Sequence, residues 1–348
     1  MNKIIINTPS ARSEILVGEQ WESVNRMLPE HGVVIITDEN VLGIYGDRFP
    51  RFPVFKVEAG ETSKKLEVVE QLAEKLLAAG IDRTGFILAI GGGVVCDIAG
   101  FLASVYMRGI RCAYISSTLL SQVDASTGGK NGINLGNTKN ILGSFRQPEF
   151  VICDPVMLHT LPEEEFLSGL SELIKTAIIG NERLFEMIEH NYDGIEARDT
   201  ELLSLMIGMS VNFKASVVSE DEKESGLRRI LNFGHTYGHA IEMHNSLKHG
   251  FAVASGMELA TTFSFSKGLI TESERRRIVD LLKKYKLLRE HNIPDDQIGQ
   301  FILHDKKKTG TDLHFVFING IGKALVEKIP VGEVIRFYKQ YNSGKQII

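Results

Sequence analysis

The stretch from Phe86 to Met107 limits most narrowly what this chain can fold into. An apolar run, FILAI at 86–90, leads directly into three glycines at 91–93, and a helix is predicted over Asp97 to Met107. A buried strand, a glycine turn and a helix N-terminus form a cradle for phosphate, because bare backbone N–H groups approach the anion and the helix dipole favours it. The motif is GGG rather than GxGxxG, and a tight turn without a ligand would also use glycines.

Similar apolar runs at 33–37, 54–57, 112–116 and 151–153 predict further strands of a parallel sheet covered on both faces. Short strands over Lys3 to Ile6 and Glu14 to Val17 read as an edge hairpin. Between the strands, leucines and a valine at helical spacing predict a helix over 66–77 that stops at Gly80. Residues 1–155 are therefore expected to form an α/β nucleotide-binding domain.

After Pro162 the pattern becomes helical up to about residue 310. Helices are predicted from Pro162 onward and over 201–218, 233–245, 251–267 and 272–285. A small antiparallel pair of strands at 313–318 and 324–329 and a C-terminal helix from Val331 complete the chain. Residues 156–348 are therefore expected to form a mainly α-helical domain.

Composition excludes several classes of protein. The chain has 348 residues, 43% hydrophobic and 24% charged, with a net charge of -5, which argues against a general binder of nucleic acid or membrane surfaces. Three cysteines without CxxC spacing predict reduced, buried thiols in a cytoplasmic protein. The N-terminal apolar run is too short for a signal peptide, and no run of about 18 apolar residues predicts a transmembrane helix.

Histidines cluster in the segment RRILNFGHTYGHAIEMHNSLKHG at 228–250. If 233–245 is helical, His235 and His239 lie at i and i+4 on one face, and two such imidazoles can bind one divalent ion. His249 follows a short turn and could return to the same point. Histidine pairs at this spacing also occur as solvated or core side chains, so spacing alone leaves both interpretations open.

Two other polar groupings have two interpretations each. Lys130, Asn140 and their neighbours lie in a glycine-rich stretch at 128–145, which predicts either an anion site or a mobile surface loop. Glu172 and Lys175 lie on one side of the helix after Pro162. They form either a surface ion pair of little energetic value or a carboxylate ligand with a cation beside it.

Taken together, the motifs resemble those of the 3-dehydroquinate synthases, in the same order, over the range from about Asp38 to Lys308. The matching segments are GGGVVCDIAGF, YMRGI, STLLSQVDASTGGKNGIN, TKNILGSF, TLPEEEFLSGLSELIK, LNFGHTYGHAIE, HGFAVASGM and HDKKKTG. The resemblance implies a Rossmann-like α/β N-terminal domain, 1–155, that binds NAD, and a mainly α-helical C-terminal domain, 156–348, that binds metal and substrate.

The family's activity implies a divalent metal, usually zinc with cobalt as an alternative, held by Glu172, His235 and His249. His239, which spacing alone suggested as a ligand, becomes by the resemblance a nearby polar group for substrate or water. The implied reaction converts 3-deoxy-D-arabino-heptulosonate 7-phosphate to 3-dehydroquinate and phosphate by transient oxidation with NAD, phosphate elimination, reduction and intramolecular aldol closure. Two imidazoles and one carboxylate leave an open coordination position for the hydroxyl that must lose its proton.

The resemblance also implies a set of site residues. For the anionic substrate the matching positions are Lys130, Asn140, Lys175, Lys214, Arg228, Asn232 and Lys306, with His239 as the nearby polar group; Asp124 also falls in a family site motif. Arg108 matches an arginine that reaches a neighbouring subunit's site, which implies a homodimer. For NAD the matching positions are Asp38, Asn40, Glu61, Lys64, Gly93, Val94, Asp97, Ser117, Thr118, Lys139 and Thr160.

A few positions depart from the family pattern: Cys96 for glycine, Ser116 and Ser117 for Pro and Thr, Ser171 for Ala, and Phe251 for Glu. None removes an implied ligand. Cys96 and Ser117 are expected to border the cofactor, and Phe251 removes a carboxylate near the metal.

Three rival functions follow from the same motifs. One is another cyclase of the superfamily, acting on glucose 6-phosphate or sedoheptulose 7-phosphate, against which the full set of cations argues. The second is a metal-dependent alcohol or glycerol dehydrogenase, which would release NADH. The third is a non-catalytic binding protein with a structural metal, which the intact ligand set disfavours.

Overall fold

The computed structural model describes residues 2–136, 138–291, 293–303, 308–309 and 312–344. By packing, the chain divides into two units: Met1–Phe166 with Glu196–Lys223, and Leu167–Ile195 with Glu224–Ile348. The predicted division between residues 155 and 156 rests on the change from a strand pattern to a helical pattern along the sequence, and it stays a prediction.

The described helices, in chain order, are α1 (Glu39–Tyr45), α2 (Leu66–Ala78), α3 (Gly93–Val105), α4 (Glu163–Gly180), α5 (Glu182–His190), α6 (Tyr192–Glu196), α7 (Thr200–Glu220), α8 (His235–Asn245), α9 (His249–Ser266), α10 (Glu272–Lys284), α11 (Ile298–Leu303) and α12 (Val331–Asn342). The described strands are β1 (Asn2–Asn7), β2 (Arg12–Val17), β3 (Val33–Asp38), β4 (Val54–Val57), β5 (Phe86–Gly91), β6 (Arg111–Ser116), β7 (Lys130–Leu135), β8 (Thr138–Phe145), β9 (Phe150–Cys153), β10 (Lys308–Thr309), β11 (Asp312–Ile318) and β12 (Ala324–Pro330).

A seven-stranded sheet forms the centre of the first unit, in the order β1-β2-β9-β6-β5-β3-β4. β1 pairs antiparallel with β2, and every other neighbouring pair is parallel. Every residue of β3 and β5 is buried, which explains their uninterrupted apolar sequences. The predicted parallel sheet and its edge hairpin are confirmed.

α3 begins almost immediately after β5 ends, at Gly93 rather than at the predicted Asp97. Gly92 is the N-cap, and a Cβ there would lie 2.9 Å from the Thr118 Cγ2 atom. Because much of the helix is buried, tertiary packing compensates for the glycine and valines of its first turn. The strand, glycine turn and helix therefore form as predicted, with a shorter turn.

The glycine-rich stretch is not the loop that one interpretation of the sequence expected. A short π-helix, Ser121–Ala125, precedes an antiparallel hairpin made by β7 and β8. Gly132 pairs with Gly143 across the hairpin, and a Cβ on Gly143 would lie 2.9 Å from the Asn131 carbonyl oxygen. The glycines that obscured the strand pattern are therefore needed for the close approach of the two strands.

α7 lies in the first unit and is the one helix, among those described, that is long and apolar enough by composition to cross a membrane. It carries Lys214, whose ammonium group pairs with the Asp124 carboxylate of the same unit. Of the residues in its most apolar stretch, 56% are buried. Burial of this kind is typical of the core helix of a soluble protein.

The second unit is mainly helical, as predicted. α8 and α9 cross at glycines: a Cβ on Gly238 would lie 3.1 Å from the Val253 Cα atom, and a Cβ on Gly256 would lie 2.6 Å from the Gly238 backbone nitrogen. β10, β11 and β12 form an antiparallel sheet. The predicted pair of strands and the C-terminal helix are thus confirmed.

Candidate metal and nucleotide sites

A carboxylate and two imidazoles come together in the second unit. The ligand atoms of Glu172, His235 and His249 all lie within 4.8 Å of one another. The Oε1 atom of Glu172 is 3.3 Å from the Nε2 atom of His249 and 3.9 Å from that of His235. Two imidazole nitrogens and one carboxylate oxygen are a ligand set typical of zinc and similar divalent ions, so the donor set fits a metal.

Three helices bring these side chains to one point. Glu172 lies on α4 with its side chain fully buried, whereas His235 and His249 are the first residues of α8 and α9. Gly234, just before α8, has a left-handed backbone with φ of 78°, and a Cβ there would lie 2.6 Å from the Met257 Cγ atom. Only glycine lets the chain turn into α8 at this place.

The other ring nitrogen of each histidine has its own partner. The Nδ1 atom of His235 lies 3.1 Å from the Phe233 carbonyl oxygen, and that of His249 lies 3.1 Å from the Glu242 carboxylate. Such contacts direct each Nε2 atom toward Glu172. Glu242 lies in the segment LNFGHTYGHAIE, but nothing in its spacing predicts its contact with His249.

The site stabilises positive charge. Burial alone would lower the pKa of His249, but its hydrogen bonds to the carboxylates of Glu172 and Glu242 outweigh burial and raise the pKa to about 10. The Lys175 ammonium group pairs with the Glu172 carboxylate one helical turn away, and both side chains are buried. Of the two interpretations of this pair, the surface ion pair is therefore wrong.

His239 lies near the group but outside it. Its ring centroid is 5.2 Å from that of His235 and 6.4 Å from that of His249. The i, i+4 spacing of His235 and His239 therefore does not correspond to the group of three, which takes its other members from α4 and α9.

The first turn of α9 is hydrogen-bonded to α4. The Gly250 N–H group donates to the Ser168 hydroxyl at 3.1 Å, one helical turn before Glu172. A Cβ on Gly250 would overlap the Ser168 backbone. The next residue, Phe251, is buried, and the Arg289 guanidinium lies 3.9 Å from its ring centroid. An aromatic ring with a stacked cation thus occupies the position where the family pattern has glutamate.

The residues expected to bind NAD lie in the first unit, many of them at the carboxyl ends of β3, β5 and β6. Asp38 ends β3 and caps α1, where its Oδ1 atom accepts from the N–H groups of Asn40 and Val41 at 2.9 and 3.0 Å. Gly93 and Val94 open α3, and Ser117 and Thr118 follow β6. The Ser117 hydroxyl is buried and has no hydrogen-bond partner within the described part of the chain. A helix N-terminus and a buried hydroxyl just after a neighbouring strand fit an anionic cofactor.

Other predicted NAD residues are less closely grouped. Lys64 is buried and its ammonium group lies 2.5 Å from the Asp97 carboxylate on α3. Burial raises the pKa of Asp97, against the opposing effect of Lys64. The Oε1 atom of Glu61 lies 4.0 Å from the Nζ atom of Lys64. Lys139 is exposed on β8. Thr160 shares a hydrogen bond of 2.7 Å with the Tyr45 hydroxyl.

One position that departs from the family pattern, Cys96, precedes the proposed NAD residue Asp97 in the chain. Cys96, on α3, is fully buried, with its thiol 3.9 Å from the Gly91 carbonyl oxygen. Burial raises the pKa of Cys96 well above its usual value. The expectation of three free, buried thiols is confirmed for all cysteines of the chain, Cys96, Cys112 and Cys153.

The predicted substrate-binding residues are distributed over both units. In the first, Lys130 and Asn140 lie exposed on the hairpin, Arg108 is exposed, and Lys214 pairs with Asp124. In the second, Lys175 and Arg228 are buried, and the Asn232 amide donates to the Glu224 carboxylate. Lys306 lies outside the described residues.

A parallel-sheet α/β unit and a mainly helical unit are the fold of the sugar phosphate cyclases. A structure of 2-deoxy-scyllo-inosose synthase complexed with carbaglucose-6-phosphate, NAD+ and Co2+ superposes with a TM-score of 0.86, at 27% identity over 96% of this chain and 99% of that one. The 2-epi-5-epi-valiolone synthase from Streptomyces hygroscopicus, with NAD+ and Zn2+ bound, gives 0.86 at 26% identity over 94% and 96%.

Sequence comparison narrows the class. Residues 54–168 match the family profile for the 3-dehydroquinate synthase N-terminal domain, and residues 169–308 match that for its C-terminal domain. A 3-dehydroquinate synthase from Thermoanaerobacter pseudethanolicus is 41% identical over 330 residues, 91% of this chain and 93% of that relative. The chain belongs to the 3-dehydroquinate synthase family.

Proposed function

We propose that this chain catalyses the conversion of 3-deoxy-D-arabino-heptulosonate 7-phosphate to 3-dehydroquinate and phosphate, in the shikimate pathway of aromatic amino-acid biosynthesis. The observation that carries the proposal is the convergence of Glu172, His235 and His249, in a member of this family, within 4.8 Å of one another. The simple-alcohol dehydrogenase and the non-catalytic metal protein would not require the accompanying set of lysines and arginine.

We further propose NAD and a divalent metal, Zn2+ or Co2+, as cofactors. Glu172, His235 and His249 would hold the metal. The NAD site would comprise Asp38, Asn40, Glu61, Lys64, Gly93, Val94, Asp97, Ser117, Thr118, Lys139 and Thr160. When bound, the metal would supply Lewis acidity to the substrate alcohol and NAD would supply a reversible hydride acceptor; the transient ketone makes the adjacent C–H acidic enough for phosphate to leave before the hydride is returned.

The chain's own lysines and arginine would bind the anionic groups of the substrate. The substrate carries a phosphate and a carboxylate, so a protein with a net charge of -5 must collect local positive charge to bind it. Lys175 is 2% exposed and its ammonium group pairs with the Glu172 carboxylate, so it would lie beside the alcohol that must lose its proton. The other proposed substrate contacts are Lys130, Asn140, Lys214, Arg228, Asn232, His239 and Lys306, and Asp124, which pairs with Lys214, is a further proposed site residue.

We also propose a cytoplasmic homodimer in which Arg108 contributes to the partner subunit's site. Met107 and Arg108 both have positive φ, 47° and 70°, although neither is glycine. Strained backbone of this kind persists where the surroundings require it, often at functional sites. Arg108 is exposed in the single chain, which leaves it accessible to a second copy. Light scattering after size-exclusion chromatography tests the dimer.

The decisive experiment measures phosphate release. Purified chain with the heptulosonate phosphate, substoichiometric NAD and zinc or cobalt should release phosphate over many turnovers without accumulating NADH. Glucose 6-phosphate and sedoheptulose 7-phosphate serve as control substrates. Substitution of His235→Ala should abolish turnover with the fold retained, as checked by circular dichroism. Stoichiometric NADH production from a simple alcohol, without phosphate release, would contradict the proposal.

A further inference from the structure

Asn134, near the end of β7, joins two segments of the first unit that the proposed function assigns to different ligands. Its side-chain amide nitrogen donates to the Glu61 carboxylate at 2.8 Å. Its side-chain oxygen accepts from the Asn140 N–H group at 2.9 Å. Its backbone N–H group donates to the Lys64 carbonyl oxygen, also at 2.8 Å. One residue therefore contacts both the turn at 61–64 and the opposite strand of the hairpin.

The chemistry of these partners requires an amide. The Glu61 carboxylate can only accept a hydrogen bond, whereas the Asn140 backbone N–H can only donate one. The orientation of the Asn134 side chain is fixed by those two partners. Aspartate would lose the donor to Glu61, and alanine would lose both bonds.

Both ends of this connection are constrained. Asn140 has φ of 51°, a left-handed conformation that is costly for a residue other than glycine, so the bond from its N–H group helps to retain it. At the other end, Lys64 is buried and pairs with Asp97 on α3. A displacement of Asn134 would therefore be transmitted to the proposed cofactor-binding turn and to the proposed substrate-binding Asn140.

We propose that Asn134 is a positioning residue that holds the cofactor-binding turn, Glu61–Lys64, in register with Asn140, and so couples the NAD site to the substrate site. The inference rests on the proposed function for the identities of the two ligands. As a positioning residue, Asn134 would act through Glu61 and through the backbone of Asn140.

The test uses a double-mutant cycle with NAD alone as the probe. Asn134→Asp brings two carboxylates together and should raise the Kd for NAD about three- to tenfold, the size of one net hydrogen bond. When Asn134→Asp is combined with Glu61→Gln, the amide and the carboxylate exchange places, so the introduced glutamine can donate to the introduced aspartate. In that background Asn134→Asp should change the Kd less than about twofold.

Turnover measurements separate the effect of the Asn134 contact with Glu61 from that of its contact with Asn140. Asn134→Asp retains an acceptor for the Asn140 N–H group, so the KM for the heptulosonate phosphate should change little, whereas Asn134→Ala should raise both KM and the Kd for NAD. Leu135→Ala is the matched control, because this neighbouring side chain is 55% exposed and makes neither contact. All binding is measured well below the unfolding midpoint of each variant.

The outcomes distinguish this inference from the proposed function. An Asn134→Asp penalty of equal size in the wild-type and Glu61→Gln backgrounds would overturn the coupling, as would a lower unfolding midpoint with no change in Kd or KM. If the variants show the predicted coupling in NAD binding but the wild-type chain releases no phosphate, the proposed function would be overturned and the coupling would stand. A wild-type chain that does not bind NAD would overturn both.

Discussion

Glu242 provides a sharp test of the metal site, because it contacts the ring nitrogen of His249 that does not face the proposed metal. Its carboxylate lies 3.1 Å from the His249 Nδ1 atom, and the residue is only 8% exposed. A carboxylate in this position holds the imidazole in one orientation and increases the basicity of the opposite nitrogen. Substitution at Glu242 should therefore weaken metal binding without removing any ligand atom.

The expected magnitude follows from what each substitution removes. Loss of such a supporting contact typically lowers metal affinity about 10- to 100-fold, or about 1.4 to 2.8 kcal/mol. Glu242→Gln retains an oxygen that can accept from Nδ1–H but loses the negative charge, so we expect about a tenfold loss. Glu242→Ala removes the bond altogether and should approach the hundredfold limit.

The assay is competition for Zn2+ between metal-free protein and a chromophoric chelator. Cobalt spectra report in parallel whether the coordination geometry is retained. Glu258→Gln on α9 is the matched control: the groups that act on Glu258 are Lys283, Tyr341 and Arg275 rather than any proposed ligand, so metal affinity should be unchanged. If both Glu242 variants bound zinc within twofold of wild type while His249→Ala lost it, the supporting role of Glu242 would be refuted.

Further predictions concern packing, acid stability and thiol reactivity. Gly250→Ala should destabilise the chain by about 1–3 kcal/mol in urea unfolding and weaken metal binding, because its Cβ would push α9 from Ser168 on α4; unchanged values would contradict the close contact. The Arg277 hydrogen bond lowers the pKa of Glu189, so this pair's stabilisation is present above about pH 4.5 and is lost as pH falls through the lowered pKa. Glu189→Gln should accordingly cost less than about 1 kcal/mol at pH 7 and flatten the acid limb of the stability curve; an unaltered acid limb would exclude the pair. Burial raises the pKa of two of the cysteine thiols to about 11 and about 12, so all three should resist alkylation at pH 8 until the chain unfolds, and rapid labelling of the folded chain would disprove their burial.

Much of the fold follows from local patterns in the sequence. Buried parallel strands appear as uninterrupted apolar runs, and the run at 86–90 followed by glycines predicts the turn into α3. The hairpin of β7 and β8 was harder to predict, because Gly132 and Gly143 lower strand propensity while making the pairing possible. The alternation of Ile133 and Leu135 with their neighbours, and the glycine at 136 where the hairpin turns, are the sequence signals that indicate it.

The metal site shows the limit of spacing as evidence. His235 and His239 satisfy the i, i+4 pattern, yet the group of three takes Glu172 from α4 and His249 from the start of α9. That convergence depends on tertiary packing, including the Gly250 contact with Ser168, which no local periodicity encodes. Local patterns left the roles of Glu172 and His249 open, and only the resemblance to a family joined both of them with His235 in one ligand set in advance.

The contact between Asn134 and Glu61 joins residues far apart in sequence, and neither residue type predicts it. Asn134 lies in a stretch whose glycines and spaced lysines predict an anion site, and its own residue type carries no separate signal. Supporting residues of this kind become identifiable only when their partners are known.

The most direct measurement of the central claim is anomalous X-ray scattering at the zinc edge from crystals of the zinc-loaded protein. We predict one ion per chain at about 2.0–2.2 Å from the Nε2 atoms of His235 and His249 and from a carboxylate oxygen of Glu172. An ion held by His239 in place of either histidine, or by none of these residues, would contradict the account.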